Sequence, residues 1–261
     1  PAQSPLRRTV NILNPLGEDT SVMRTTVFPS MMEVLARNYN NRNASASLFE
    51  LAKEFIPKES ADILPDELKT IALGLYGEDA DYYHLKGIVE ELLDVFGIQD
   101  YDVAAVCDHP TFHPGRCAEI SKNGRSIALI GEAHPAVCAN YEMGTRAYLG
   151  RIDLAALFEL ADVSDRVYHP LPRFPASTRD LALLCDDSLP MLTIEKAVSK
   201  AIGKILESIS LFDCYKGSQI PEGKKSLAFA ISMRASDRTL TDSEVTAAMD
   251  KALAAVKALG C

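Results

Sequence analysis

The apolar positions of the chain recur at helical spacing in several stretches. In the first stretch, Pro29 suits the opening turn of a helix, which runs to about Asn41. Its apolar face consists of Met31, Met32, Leu35 and Tyr39. The second stretch, "DYYHLKGIVEELLDVFG", repeats apolar residues every three or four positions and ends at Gly97, a residue type common after helices. Both patterns predict amphipathic helices.

Strand-like segments surround these helices. Strands are predicted in "SLFELAKEF", "LKTIALGLYG" and "RAYLGRID", and a short helix in "LAALFELA". The segment "RCAEISKNGRSIALIGE" predicts a β-hairpin, because Asn123-Gly124 favours the positive φ angles of a two-residue turn. Helices mixed with mostly antiparallel strands predict an α+β fold for this part of the chain.

The remainder of the chain has a more regular order of elements. Strands are predicted in "RDLALLC", "ISLFDCY" and the strictly alternating "SLAFAISM", and a helix in "TIEKAVSKAIGKI". A last helix follows Thr241, since Thr241 and Glu244 have the spacing of a capping box. The order β-α-β-β-α predicts a ferredoxin-like (βαββαβ) domain whose last strand is truncated.

Three prolines mark the division between these parts. Pro170, Pro172 and Pro175 lie close together and favour extended backbone. We therefore predict two domains, residues 1–170 and residues 171–261. The chain does not begin with Met, which suggests a piece of a longer protein.

The charge of the chain is unevenly distributed. The net charge is −9, and residues 171–261 carry 12 Lys and Arg against 11 Asp and Glu, or +1. The acidic excess therefore belongs to the first domain. The second domain remains able to approach a phosphate backbone, although the total charge argues weakly against nucleic acid.

Composition also limits the compartment. No window holds the run of about 18 apolar residues that a membrane span needs, and the start has no signal-peptide pattern. The six cysteines form no C-x-x-C pair and are too widely spread for a disulfide framework. We therefore expect free thiols in a reducing compartment, and the cytoplasm is the natural inference.

Motifs of self-contained catalysis are missing from the sequence. It has no Gly-rich phosphate loop, no G-x-S-x-G and no H-E-x-x-H. His109, His113 and Cys117 are spaced four apart, as metal ligands on a helix would be. Pro110 and Pro114 disfavour such a helix, so we interpret the segment as a loop with two exposed histidines. No catalytic residue and no metal ligand are assigned.

Arg24 lies just before the helix that begins near Pro29 and has two interpretations. It can bind a substrate anion, or it can stabilise the loop through carboxylates such as Glu18 or Asp19, or through free carbonyls. The residue pattern favours the structural role.

One face of the second domain's sheet also has two interpretations. Alternation predicts that Leu181, Leu183 and Cys185 of the first strand face inward. In the second strand it predicts the same for Phe212 and Cys214. The small residues of the sheet and Tyr215 then face outward. Lysines and arginines lie near these strands. Small residues, an aromatic ring and cations suit single-stranded RNA. They suit a packing interface with another domain equally well.

Nine segments together resemble the C-terminal part of the β subunit of bacterial phenylalanyl-tRNA synthetase. In family order they are "NPLGEDTSVMRT", "LFELAKEF", "YHLKGIVEELL", "FHPGRCAEI", "IGEAHPAV", "RFPASTRDLALL", "LFDCYKG", "EGKKSLAFAISM" and "RTLTDSEV". The resemblance implies a degenerate class II synthetase core, without chemistry of its own, followed by a ferredoxin-fold anticodon-binding domain. The full α2β2 enzyme joins phenylalanine to tRNA(Phe) with ATP and magnesium. The resemblance implies no cofactor bound to this part of the enzyme, and neither a membrane nor DNA as a partner.

The resemblance also implies roles for single residues. Tyr215 would stack on the first anticodon base, with Ala182 and Ser226 bordering it. The cations assigned to tRNA are Lys216, Lys224, Lys225 and Arg179. The apolar face of Met31, Met32, Leu35 and Tyr39 would contact the α subunit, and the alternative is an ordinary face that packs in the core of its own domain. The strand comparable to an ATP-binding one, residues 49–55, has no arginine, so Arg24 would be a remnant that stabilises the loop.

The alternative to a ligase part is a small-molecule sensor, because ferredoxin-like domains also bind amino acids at helix–strand edges. Such sites usually have a Gly-rich loop, and "LLCDDSLPML" contains no glycine.

Overall fold

The computed structural model describes residues 3–60, 63–162 and 170–261. The chain divides into two compact units, Pro1–Asp165 and Arg166–Cys261. The predicted division before Leu171 lies a few residues after this point, and part of the linker, residues 163–169, is outside the described residues.

The first unit is built on a six-stranded antiparallel sheet. Its strands are β3 (Ala46–Ile56), β4 (Asp66–Tyr76), β5 (Asp102–Ala105), β6 (Phe112–Lys122), β7 (Arg125–Ala133) and β8 (Tyr148–Asp153), after a small pair formed by β1 (Val10–Asn11) and β2 (Val22–Met23). The helices are α1 (Phe28–Asn40), α2 (Tyr82–Val95), α3 (Pro135–Asn140) and α4 (Leu154–Leu160). The strand order is β3-β4-β8-β7-β6-β5, so β3 is an edge strand.

Helix α1 packs across one face of this sheet. Its side chains Met31, Met32 and Leu35 are 4% exposed or less, and Tyr39 is partly buried against Tyr76. Gly74 in β4 permits the close approach, because a Cβ built there would lie 2.6 Å from Met31 Sδ. The prediction that this apolar face is exposed for a partner is therefore wrong for Met31, Met32 and Leu35, because the sheet of the same unit covers them.

The other face of the sheet is covered only in part. Helices α2 and α4 pack on β7 and β8 and form a second core with them, which includes Leu85, Val89, Leu93 and Leu157. The neighbouring part of β3 carries exposed apolar side chains, among them Phe49 and Leu51. The edge of this unit thus keeps apolar surface that its own helices leave uncovered.

Local signals in the sequence are confirmed where they concern caps and turns. Asn123 and Gly124 have φ angles of 52° and 76° between β6 and β7, as a two-residue hairpin turn requires. Gly97 follows α2 with a φ of 68°, as predicted. The structure adds a cap that was not predicted at the start of α2, where the Asp81 side chain accepts a hydrogen bond from the His84 N–H. These short-range rules depend only on neighbouring residues.

The second unit has three antiparallel strands and two helices. They are β9 (Ser177–Asp186), α5 (Met191–Ile202), β10 (Leu206–Tyr215), β11 (Lys224–Met233) and α6 (Asp242–Lys257). The sheet order is β10-β11-β9. Both helices pack on one face, in a core that includes Leu183, Val198, Phe229 and Val256. The order and arrangement are those of the predicted ferredoxin-like domain, and among the described residues no fourth strand pairs with β9.

Strand β10 departs from simple alternation. Its register with β11 shifts between Leu211 and Asp213, which leaves Phe212 as the extra residue of a β-bulge. The prediction that Phe212 faces the core is wrong, since Phe212 is 58% exposed. Cys214 pairs with the buried Leu227 and so lies on the helical face, although it is exposed at the strand end. The positions of this strand that pack against the core are Ile209 and Leu211.

Candidate nucleic-acid interface

The sheet of the second unit has one face covered by helices and one open face. Directly paired residues of antiparallel strands lie on the same face. The rows that cross the open face are Tyr215–Ser226–Leu184, Asp213–Ala228–Ala182 and Ser210–Ala230–Asp180. Five of these nine side chains are alanine or serine. The structure thus brings Tyr215, Ala182 and Ser226 together on one face, as the resemblance implies.

Tyr215 lies at the end of β10 and is 43% exposed. Its ring lies over Gly217, because a Cβ built at that glycine would collide with the phenol oxygen and Cζ and would lie 3.0 Å from Cε1. The absence of a side chain at position 217 therefore permits the ring to rest there. Nothing in the sequence pattern marks this contact, since glycine after a strand also suits an ordinary turn.

The predicted cations divide between the two faces of this sheet. Lys224 pairs with Asp186 across the strands, in the same alternating set as Ser226, and so belongs to the open face. Its ammonium lies 3.9 Å from the Asp186 carboxylate, and Lys216 beside Tyr215 forms an ion pair with Asp187. Hydrogen bonds from Ser188 and the nearby lysines lower the pKa of Asp186. Both lysines are thus placed near the aromatic end of the open face.

Arg179 and Lys225 belong to the helical face instead. Arg179 pairs with Ile231 and Lys225 with Cys185, and both partners are buried in the core. Arg179 forms an ion pair with Asp242 at the start of α6, at 3.5 Å. The Lys225 ammonium donates hydrogen bonds to the carbonyls of Asp187 and Leu189, at 2.9 and 2.7 Å. The structure therefore does not bring these two cations together with Tyr215.

Arg24 is held by strand β3. Its Nε donates a hydrogen bond to the Lys53 carbonyl at 2.9 Å, and its guanidinium forms a forked pair with the Glu50 carboxylate at 2.7 and 3.4 Å. The backbone carbonyl of Arg24 also accepts a bond from the Phe55 N–H. The structural role is supported, but the partner is Glu50 rather than Glu18 or Asp19, because the chain runs back along β3 at this point.

Two further arginines on the same sheet are neutralised by buried carboxylates. Arg151 donates to Glu54 at 2.7 Å, and Arg116 donates to both oxygens of Glu132 at 2.7 and 2.8 Å. The hydrogen bond and the charge of Glu132 raise the pKa of Arg116. Glu54 also accepts from the Val27 N–H at the start of α1. These arginines stabilise the sheet and its helix, and their charge is already compensated.

The histidine segment has no helix and gathers no metal ligands. His109 is half-buried against the rings of Phe28 and Phe112, and this burial lowers its pKa. The expectation of a loop with two exposed histidines is therefore wrong, since His113 is also partly buried and belongs to a strand. His113 lies in β6, where its Nδ1 accepts a bond from the Gly115 N–H. Within the described ranges, no group of three or more His, Cys, Asp or Glu side chains is placed to hold a metal ion.

An apolar groove lies at the uncovered edge of the first unit. It encloses about 430 Å³ between β3, β4 and α2. Its wall includes Phe49 and Leu51, which are 73% and 69% exposed, and Val95 of α2. A row of large exposed apolar side chains on an edge strand is typical of a protein-binding surface.

Comparisons with known protein families show the class to which the chain belongs. Both family models that match the chain describe parts of an aminoacyl-tRNA synthetase or its anticodon-binding domain, which is the class of protein that the comparisons show. The family model "Phenylalanyl tRNA synthetase beta chain CLM domain" matches residues 2–154, and "Ferredoxin-fold anticodon binding domain" matches residues 172–260. The chain belongs to the phenylalanyl-tRNA synthetase β chain family, as the sequence resemblance indicates.

Curated relatives agree with this assignment. The phenylalanine–tRNA ligase β subunits of Clostridium tetani and Clostridium acetobutylicum are 47% and 46% identical over 96% and 97% of this chain, and that of Geobacillus kaustophilus is 34% identical over 95%. The chain spans about a third of each relative's length, 32%. Among solved structures, a pyrrolysyl-tRNA synthetase from Desulfitobacterium hafniense matches 60% of this chain and 55% of its own, at 14% identity and a TM-score of 0.48.

Proposed function

We propose that the chain is the C-terminal part of the β subunit of phenylalanine–tRNA ligase and binds the anticodon region of tRNA(Phe). The observation that carries this proposal is the open sheet face, on which Tyr215 stands at one end of a surface of small side chains. An unstacked base can lie flat against such a surface and stack on the aromatic ring. Ala182 and Ser226 border the ring and leave room for the base.

Charge on this face favours contact with bases over contact with phosphates. Lys216 and Lys224 lie near Tyr215, but each faces an aspartate. Asp213 and Asp180 also lie on the open face. Because carboxylates repel phosphate and accept hydrogen bonds from base amines, the face suits base recognition. Affinity for RNA backbone alone should therefore be weak at physiological salt.

The first unit supports the α subunit in this account. The apolar groove with Phe49 and Leu51 replaces the face of α1 as the surface that would contact it. Co-purification with the α subunit tests this assignment. Phe49→Glu and Leu51→Glu should abolish co-purification, while Leu64→Glu, at a still more exposed loop position, should not. Equal recovery of all three variants with the α subunit would refute the groove as the contact.

The chain itself carries no adenylation site in this proposal. ATP and magnesium are used by the full α2β2 enzyme, and adenylation needs preorganised positive charge on the phosphates. In the first unit, Arg24, Arg116 and Arg151 each face a glutamate instead. Purified chain should therefore show no ATP–pyrophosphate exchange with phenylalanine above a no-enzyme control. Exchange above that control would contradict the proposal.

The compartment proposed for the protein is the cytoplasm, without membrane or DNA as a partner. All six cysteines are free thiols, as a reducing compartment allows. In the part of the chain that the structure describes, no helix has the length and apolar character needed to cross a bilayer.

The alternative function, a small-molecule sensor, has less support. The loop after β9 has no glycine, and its carbonyls at Asp187 and Leu189 already accept hydrogen bonds from Lys225. A titration of the chain with tRNA(Phe) and with a non-cognate tRNA separates the two functions. Tighter binding of tRNA(Phe) supports anticodon recognition. Equal or absent binding of both, together with saturable binding of free phenylalanine, would favour the sensor.

A further inference from the structure

Strand β10 carries a second exposed aromatic ring, Phe212, at its β-bulge. In β10, Leu211 pairs with Phe229 and Asp213 pairs with Ala228. Phe212 and Asp213 together therefore oppose the single residue Ala228. The strand crosses from the core side at Leu211 to the open side at Asp213, with Phe212 as the inserted residue.

The surroundings of Phe212 agree with a place outside the core. It is 58% exposed, while Ile209 and Leu211 on the same strand pack against the core cluster. Strand β10 is also an edge of the sheet, so no further strand among the described residues covers the outer side of Phe212. A large apolar ring left in water at this place has a free energy cost that binding a partner would remove.

We infer that Phe212 is a second base-stacking residue of the open face, beside Tyr215. This inference rests on the proposed anticodon-binding function and adds a residue to it. Phe212 and Tyr215 are three positions apart on one strand, roughly 10 Å at the rise of a β-strand. That separation suits two splayed bases, each on its own ring, as in sheet-type readers of single-stranded RNA.

Asp213 supports the same interpretation. It lies between the two aromatic residues and pairs with Ala228 on the open face, in a row that continues to Ala182. Its carboxylate is therefore beside the path of the two bases and accepts hydrogen bonds from base N–H groups, which phosphates lack. A surface of two rings and one carboxylate recognises bases more than backbone.

The test uses the full 261-residue chain and the anticodon stem-loop of tRNA(Phe). Phe212→Ala should weaken binding by roughly 5- to 150-fold, the range for loss of one stacked base. Phe212→Tyr should bind within about 2-fold of the wild type, because it keeps a ring. Phe212→Leu, which keeps apolar area without a ring, should bind like Phe212→Ala. Phe158→Ala, at an exposed aromatic of the first unit, is the control and should bind normally.

A fluorescent base identifies which nucleotide lies on which ring. Stem-loops with 2-aminopurine at one anticodon-loop position at a time report stacking through quenched fluorescence. The position that loses quenching in Phe212→Ala should differ from the one that does so in Tyr215→Ala. The losses in affinity should add in the double variant, because independent sites contribute independently.

The outcomes separate this inference from the function on which it depends. If Tyr215→Ala weakens binding and Phe212→Ala does not, Phe212 stacks on no base and the inference fails alone. Wild-type binding by Phe212→Leu would show that a ring is not needed and would also overturn it. If neither Phe212→Ala nor Tyr215→Ala changes binding, the proposed anticodon function of the face fails as well. Circular dichroism confirms that each variant is folded.

Discussion

The ring of Tyr215 rests over Gly217, two residues further along the chain, where a Cβ would collide with it. Gly217 thus affects the open face only through the position of the Tyr215 ring. Any side chain at position 217 must displace the ring or the loop.

Gly217→Ala should therefore weaken tRNA(Phe) binding without removing any group that contacts RNA. The loss should not exceed that of Tyr215→Ala, roughly 5- to 150-fold. In a Tyr215→Ala background, Gly217→Ala should have no further effect, because the ring through which it acts is gone. Full additivity of the two changes in binding free energy would show that Gly217 acts by another route.

Lys224 and Lys225 form a matched pair of neighbours on opposite faces. Lys224→Ala should weaken the binding of all tRNAs alike and flatten its salt dependence, since a phosphate contact carries no sequence information, and the effect should be small because Asp186 partly neutralises this lysine. Lys225→Ala should instead lower the free energy of unfolding, because the carbonyls of Asp187 and Leu189 lose their donor. Titrations at several salt concentrations and urea unfolding measure the two effects. Identical salt dependence in both variants would contradict the assignment of faces.

The alternation of these strands contains enough information to place the cations. Arg179 is in register with Leu181 and Leu183, and Lys225 with Leu227, so both belong to the buried set. They were predicted to bind tRNA because they lie close in sequence to residues of the open face. The bulge at Phe212 has no such signal, because one inserted residue changes the face without changing the composition of the strand.

The first unit shows a similar limit. The helix after Pro29 and the strand that follows were predictable from local patterns, and the structure has them at Phe28–Asn40 and Ala46–Ile56. An amphipathic helix does not reveal what covers its apolar face. Gly74, more than thirty residues later in sequence, is what allows Met31 to pack against β4. The periodicity of apolar residues cannot predict contacts of this kind between residues that are distant in sequence.

The contact between Arg24 and Glu50 should contribute to stability. Arg24→Met removes a half-exposed ion pair and a hydrogen bond to the Lys53 carbonyl, and should lower the free energy of unfolding by about 1–2 kcal/mol. Lys53→Met, which breaks a more exposed pair with Glu67, should change it by less than about 0.5 kcal/mol. Urea unfolding measures both. Equal effects of the two variants would argue against a stabilising role specific to Arg24.

His109 should make the first unit sensitive to acid. Burial lowers its pKa below the ordinary 6.5, so the unfolded chain binds more protons than the folded chain just below pH 6.5. The contribution of His109 to stability is therefore constant above pH 6.5 and falls as the pH drops from 6.5 towards the folded pKa. His109→Gln should remove this part of the pH dependence. The free energy of unfolding of both proteins is measured from pH 7.5 to 5. If it falls equally with pH in His109→Gln and in wild type, the prediction is wrong.

Aminoacylation by the assembled enzyme tests anticodon recognition most directly. With Tyr215→Ala in the β subunit of an α2β2 ligase, kcat/KM for tRNA(Phe) should fall by roughly 5- to 150-fold, because one stacked base is lost. Phenylalanine-dependent ATP–pyrophosphate exchange should stay unchanged, since that reaction does not involve the open face. Unchanged charging of tRNA(Phe) by an assembled enzyme carrying Tyr215→Ala would contradict the account.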